Sequence, residues 1–260
     1  MSPFSRKLFL TATAIALLFT AAQAEPDPLV ATYEAHGGLA TWQAQGTLLY
    51  DLELTWGEAV TRDHQVFDLV NRQGIASNAD YAVGYDGSRV WMDTTGEAGP
   101  TFPPRFYLWT PFYFLGVPFV FADDGVIKRE MPRETFQGTE YRVVRITFES
   151  GVGDAPDDTY HVYIHPDTDR VHLLRYTVSY FAAAQGQPTE ALPESAILYE
   201  NWTPDASGIE LANAATPYAW KDGNISGPQK GKMLFRNLRL LPSRPDPILF
   251  VAPAGGQTVE

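Results

Sequence analysis

The chain has no cysteine, so its capacity for chemistry rests on histidines, carboxylates and arginines. His161 and His165 stand four residues apart. On a helix that spacing turns both imidazoles to one face and suits a metal ion. Here the flanking residues alternate as a strand does, and four strand residues span about 13 Å, too far for both rings to reach one ion. The two read as hairpin histidines. The alternative is a polar cluster with Tyr163 on their shared face, turned to solvent or ligand. Asp154, Asp157 and Asp158 lie in an acidic loop, residues 151–158. Calcium takes several oxygen ligands of this kind. Their spacing departs from the EF-hand pattern, and the other reading is a turn whose Asp side chains cap backbone donors. Asp51 and Glu53 share a strand face, but acid–base work needs a partner held across a cleft. Arg145 and Arg175 suit a carboxylate or phosphate head, or surface salt bridges. His36 falls in the last turn of a short predicted helix, where a cationic or donor side chain suits free carbonyls.

The missing motifs narrow the field. There is no G-x-S-x-G elbow, no H-E-x-x-H, no phosphate loop and no G-x-G-x-x-G. Without cysteine there is no thiolate nucleophile, disulfide or lipid-modified N-terminal cysteine. No metal and no cofactor is expected. Residues 1–24 read as a secretory signal peptide: Arg6 and Lys7, an apolar run over 8–19, then Ala22-Gln23-Ala24 as the cleavage signature. Cleavage after Ala24 would release a soluble periplasmic protein of a Gram-negative bacterium. The formal charge is −12; without Arg6 and Lys7, 17 bases face 31 acids, giving −14. Such a chain repels nucleic acid and anionic headgroups at long range, which argues against a DNA or RNA role and leaves apolar ligands open.

The stretch 102–121 organises the rest. Nine of its twenty residues are aromatic, and no charge occurs between Arg105 and Asp123. Pro103, Pro104, Pro111 and Pro118 cut it into pieces too short for a membrane span, which needs about 20 apolar residues in one helix. Thr110-Pro111 predicts a helix start and Gly116 a stop, so a helix is expected over 111–115, apolar on every side and covered on every side. Such aromatics fill a core or line a ligand cavity.

Around this stretch the chain alternates with period two. Helices are expected over 29–36 and 39–44, the latter with Trp42 packed inward. Strands are expected over 48–56, 63–70, 81–85, 89–93, 126–130, 141–148, 160–164, 173–180, 196–202, 209–214, 218–220, 233–240 and 248–251. Asp86-Gly87 marks a hairpin turn. Many short strands without long intervening helices mean an antiparallel sheet in one domain over 25–260.

Four segments carry a resemblance: Glu34-Ala-His-Gly-Gly-Leu-Ala-Thr-Trp42, Tyr85-Asp-Gly-Ser-Arg-Val-Trp91, Gly151-Val-Gly-Asp-Ala-Pro-Asp-Asp-Thr-Tyr160 and Tyr163-Ile-His-Pro-Asp-Thr-Asp169. Together they resemble a family of exported bacterial proteins of unknown function, which is similar to the LolA/LolB-like lipoprotein-localisation superfamily. The resemblance implies a mainly β (α+β) fold: a curved antiparallel sheet or incomplete β-barrel, with short helices covering its open mouth and an apolar concave face that receives acyl chains. This chain is longer and more acidic than those carriers, and no position matches a lipoprotein-handling residue.

The expectation is therefore a non-enzymatic periplasmic binding or carrier protein for a lipid or other apolar small molecule. Tyr50, Trp56, Trp91, Tyr176 and Tyr180 are expected to form its wall, and Phe106, Trp109, Phe112, Tyr113 and Phe119 its lid. Two alternatives stand beside it. One is a hydrolase using His161, His165 and a carboxylate in the cavity. The other is a scaffold that docks envelope proteins through the aromatic stretch.

Overall fold

The computed structural model describes residues 26–96, 99–153 and 155–259. The expected signal peptide, 1–24, and Asp154 lie outside them. Helices α1 (Val30–Ala35) and α2 (Leu39–Gln43) lead into strands β1 (Thr47–Trp56), β2 (Ala59–Asp68), β3 (Gln73–Ser77), β4 (Tyr81–Tyr85) and β5 (Val90–Thr94). The aromatic stretch follows as α3 (Pro104–Leu115) and a 3-10 turn (Phe119–Ala122). Next come β6 (Val126–Phe136), β7 (Thr139–Phe148), β8 (Tyr160–Ile164), β9 (Val171–Tyr176) and α4 (Tyr180–Ala184). The chain ends with β10 (Ser195–Pro204), β11 (Glu210–Lys221), β12 (Asn224–Ser226), β13 (Gly231–Leu241), a 3-10 turn (Pro247–Phe250) and β14 (Gln257–Val259).

The strands form one antiparallel sheet in the order β14-β5-β4-β3-β2-β1-β13-β11-β10-β9-β8-β7-β6, with β12 hung on β11. Its outermost strands, β14 and β6, do not pair, so the sheet stays open. The halves meet where β11 joins β13 through Ala214↔Leu234 and Ala215↔Met233. At the other margin β6 carries Lys128, Arg129, Glu130, Pro132, Arg133 and Glu134, with a register shift between Met131 and Glu134.

Period-two alternation builds the inner face. On β1, Leu48, Tyr50, Leu52 and Leu54 are buried while Asp51, Glu53 and Thr55 are half-exposed. The rest of the inner core comes from the aromatic stretch. Phe119 stacks on Trp42 at 4.9 Å between centroids and lies against Tyr33 on its other side. Phe112 packs on Phe67 at 4.5 Å. A buried polar relay ties α3 to the sheet: the Tyr81 hydroxyl (2.6 Å) and that of Tyr107 both donate to Asp63 Oδ2. Gln65 Nε2 donates to Asp63 Oδ1 at 3.0 Å, and Tyr50 donates to Gln65 Oε1 at 2.7 Å. Burial pushes the Asp63 carboxyl above its usual range, against the pull of those donors.

Several expected elements differ. The aromatic helix begins at Pro104, not Pro111; the argument for proline in a first turn holds, two turns upstream. Pro111 then sits in the helix interior, where it costs one backbone hydrogen bond. Gly116 ends the helix in a right-handed conformation, φ −73°, not a left-handed one. Glycine is needed there because a Cβ would stand 2.6 Å from Val120 Cγ1. The strand expected over 173–180 ends at Tyr176, and Tyr180 opens α4. The expected strands 209–214 and 218–220 are one strand running through Pro217, and 248–251 is a 3-10 turn. His36 is fully buried and does not cap its own helix as a cation. Its Nε2 accepts from the Val171 N–H at 3.1 Å and its Nδ1–H donates to the Glu210 carbonyl at 3.3 Å. Burial lowers its pKa to about 4.

Phe112 is fully buried and does not line the cavity between α3 and the sheet, so Phe112→Ala is expected to cost about 3–5 kcal/mol of unfolding free energy. Urea denaturation followed by tryptophan fluorescence checks this; a loss under about 1 kcal/mol would mean the ring is not core.

Candidate functional site

A cavity of about 400 Å³ lies between α3 and the inner face of the sheet. Leu54 and Trp56 of β1, Tyr160 of β8, Leu174 and Tyr176 of β9, Ile197 of β10 and Met233 of β13 form one wall. Phe106, Trp109, Tyr113 and Phe114 of α3, with Val117, Val120 and Phe121, form the other. Tyr180 and Phe181 of α4 close in from one end, and their rings meet Phe106 at 5.1 and 4.8 Å. The strand register shows which end is the mouth. β1 and β9 finish there at Trp56 and Tyr176, while β8, β10 and β13 begin there at Tyr160, Ser195 and Gly231. Trp56 pairs with Gly231, and Tyr176 with both Tyr160 and Ser195.

Six of the ten residues expected to hold a ligand line this cavity: Trp56, Phe106, Trp109, Tyr113, Tyr176 and Tyr180. The other four do not. Tyr50, Phe112 and Phe119 lie deeper in the inner core, and the Tyr50 hydroxyl is engaged by Gln65. Trp91 is on the opposite face of the sheet: Val90 points inward, so the next residue on β5 points outward. There Trp91 packs with Ile75 and Phe250 and donates from Nε1 to the Phe250 carbonyl at 2.7 Å.

Charged and polar groups are few. Arg105, Asp123, Asp124, Asp158, Ser195 and Lys230 reach the lining. Asp123 is held by Arg72. Asp158 is buried and accepts the Ser179 N–H at the root of α4; burial pushes its carboxyl up to about 6. Lys230 Nζ donates to Ser195 Oγ at 3.0 Å. Alternation could have found Tyr160, and the composition of the aromatic stretch Phe114, but Lys230 follows a loop and carries no periodic signal.

No histidine lines this cavity, so neither His161 nor His165 is brought to it. His161 is flanked on β8 by Tyr160 and Val162, which pack on the inner core, so its own side chain faces outward. Burial lowers its pKa to about 4. His165 sits in the following turn and its Nδ1 accepts from the Asp167 N–H at 3.3 Å. Among the described residues no group of three or more His, Asp or Glu is placed to hold a metal. Arg175 pairs with Glu134 at 3.2 Å and Glu194 at 3.6 Å, and Glu53 pairs with Arg62 at 3.0 Å. Among the described residues no helix is long and apolar enough to cross a membrane.

No family model and no curated protein matches the sequence. Among solved structures the chain is similar to a LolA superfamily protein from Nitrosomonas europaea, with a TM-score of 0.51 and 11% identity over 80% of this chain and 90% of that one. A DUF1329 family protein from Desulfovibrio piger aligns with a TM-score of 0.46 and 12% identity over 83% of this chain and 94% of that one. At such identity the likeness is one of fold: an open antiparallel sheet with short helices against its inner face resembles the LolA superfamily.

Proposed function

We propose that the chain is an exported, periplasmic binding or carrier protein for a lipid or other apolar ligand, acting through shape and burial without catalysis. The observation that carries this reading is the cavity. Its volume of about 400 Å³ falls in the range of pockets that enclose small molecules, roughly 300–1,000 Å³. Its walls are aromatic and aliphatic, which suits an acyl chain; each buried methylene contributes about 0.8 kcal/mol. Tyr113 and Phe181 line it and stay 41% and 38% exposed, so an arriving chain meets apolar surface before it is enclosed. The leader-like sequence over 1–24 supports export, and the fold likeness supports a carrier role.

Asp158 links the cavity to solution pH. Its folded pKa of about 6 lies above the ordinary carboxylate value, so the folded state holds this proton more tightly than the unfolded chain does. The stability it contributes is present below the unfolded pKa and is lost as pH rises through about 6.

The purified protein is expected to take up a fluorescent long-chain fatty acid and to carry a lipid of defined mass when isolated from its host envelope and sprayed under native conditions. Absence of uptake together with a bare protein mass would sink the proposal. Tyr113→Ala is expected to weaken that uptake at least fivefold while changing stability by less than about 1 kcal/mol, since the ring is part-exposed. Asp158→Asn removes the buried charge and is expected to stabilise the fold at pH 7.5 by about 1–3 kcal/mol, with the gain gone by pH 4. Thermal melts across that range check the sign; an equal effect at both pH values would count against a titrating Asp158.

A further inference from the structure

Resting on the reading of the cavity as an amphiphile site, we propose that its ligand carries an anionic head, a long-chain carboxylate, seated at the mouth on Lys230 and Ser195.

Lys230 and Ser195 both line the cavity, with Nζ and Oγ 3.0 Å apart. Ser195 is buried at the first residue of β10, and Lys230 stands exposed just before β13. Tyr176, the direct cross-strand partner of Ser195, brings a third polar end to the same rim. A head placed there keeps its contact with water while the chain runs inward past Leu54, Met233, Ile197 and Leu174. That arrangement avoids the large cost of burying an ion and keeps the gain from burying the chain.

The sign follows from which charges are already engaged. Lys128 pairs with Asp27 at 2.6 Å, and Lys232 with Glu200 at 3.4 Å. Lys230 has no carboxylate within 4.0 Å among the described residues, in a chain with 31 acids. Its ammonium has three donor hydrogens, and Ser195 takes one. Ser195 accepts that hydrogen and is also hydrogen-bonded to the Tyr176 hydroxyl, so the pair can turn one O–H to the ligand and a carboxylate would receive two donors, one of them charged. The acids of the lining are held by other partners or stand exposed. Asp123 is held by Arg72, Asp158 accepts the Ser179 N–H, and Asp124 follows Asp123 after the 3-10 turn. Arg105, the other cation of the lining, lies over the Tyr85 ring at 5.6 Å. The net negative charge of the chain opposes this assignment only at range, because salt screens it beyond about 8–10 Å while the head would touch Lys230 directly.

The test is displacement of a fluorescent long-chain probe by hexadecanoate, hexadecanol and hexadecylamine, on the wild type and on Lys230→Met and Lys230→Glu. Lys230 is exposed, so both variants are expected to fold, and circular dichroism checks it. The wild type is expected to prefer hexadecanoate to hexadecanol at least fivefold, less so at 1 M NaCl. Lys230→Met should abolish that preference and leave hexadecanol affinity within twofold; Lys230→Glu should turn it toward hexadecylamine. Equal binding of all three in the wild type, or a preference for hexadecanoate that survives Lys230→Met, would overturn the head assignment and leave the cavity as a lipid site. Failure of all three to displace the probe would overturn both.

Discussion

A single curved sheet has an inner face and no second sheet to cover it. Every other part of this structure answers that constraint. Leu48, Tyr50, Leu52 and Leu54 of β1 turn inward together with the matching residues of the neighbouring strands. They must be shielded from water by something the chain supplies locally. The cover is one segment, α3 and the 3-10 turn after it, in which half of the side chains are aromatic. Trp42 and Tyr33 of the N-terminal helices clamp Phe119, and the Asp63 relay fixes Tyr107. Where the segment spans the wide middle of the sheet, between Tyr113 on one side and Tyr176 on the other, space remains. Cover and cavity thus have the same origin.

Polar groups are distributed to match. Those deep in the structure, Asp63 with its tyrosines and His36 between β9 and β11, satisfy one another and fasten elements together. Those at the mouth, Ser195 and Lys230, stand at strand ends where the chain changes direction, and Lys230 reaches water. The first set specifies the fold. The second is the part of the molecule on which the proposed recognition of an amphiphile rests.

Much of this was legible from residue order. The alternation in β1, β7 and β8 located strands and faces because a half-buried strand has to alternate. The aromatic stretch announced the cover through its composition alone. Two kinds of error remained. Proline and glycine were each assigned their commonest use: Pro111 as a helix start and Gly116 as a left-handed stop, whereas tertiary packing tolerates the first and close contact with Val120 demands the second. The other error was one of depth. Tyr50 and Phe112 belong to the inner side, as read, yet which rings touch the cavity and which lie beneath them depends on the path of α3 over the sheet. Trp91 was misplaced for a simpler reason, since its neighbour Val90 claims the inner face. Lys230 and Ser195 could not be paired in advance, being 35 residues apart and joined only through sheet pairing.

The open margin at β6 bears on how this molecule meets others. An unpaired strand is an invitation to backbone pairing, by which sheets polymerise or capture extended peptides. Here Pro132 removes a donor, the register shift at Met131 to Glu134 disturbs the repeat, and the strand carries charged side chains, as edges that resist pairing do. The incoming strand is refused there. A protein that docks on this side therefore has to be recognised through side chains, and the unpaired margin does not make the molecule prone to fibre growth from β6.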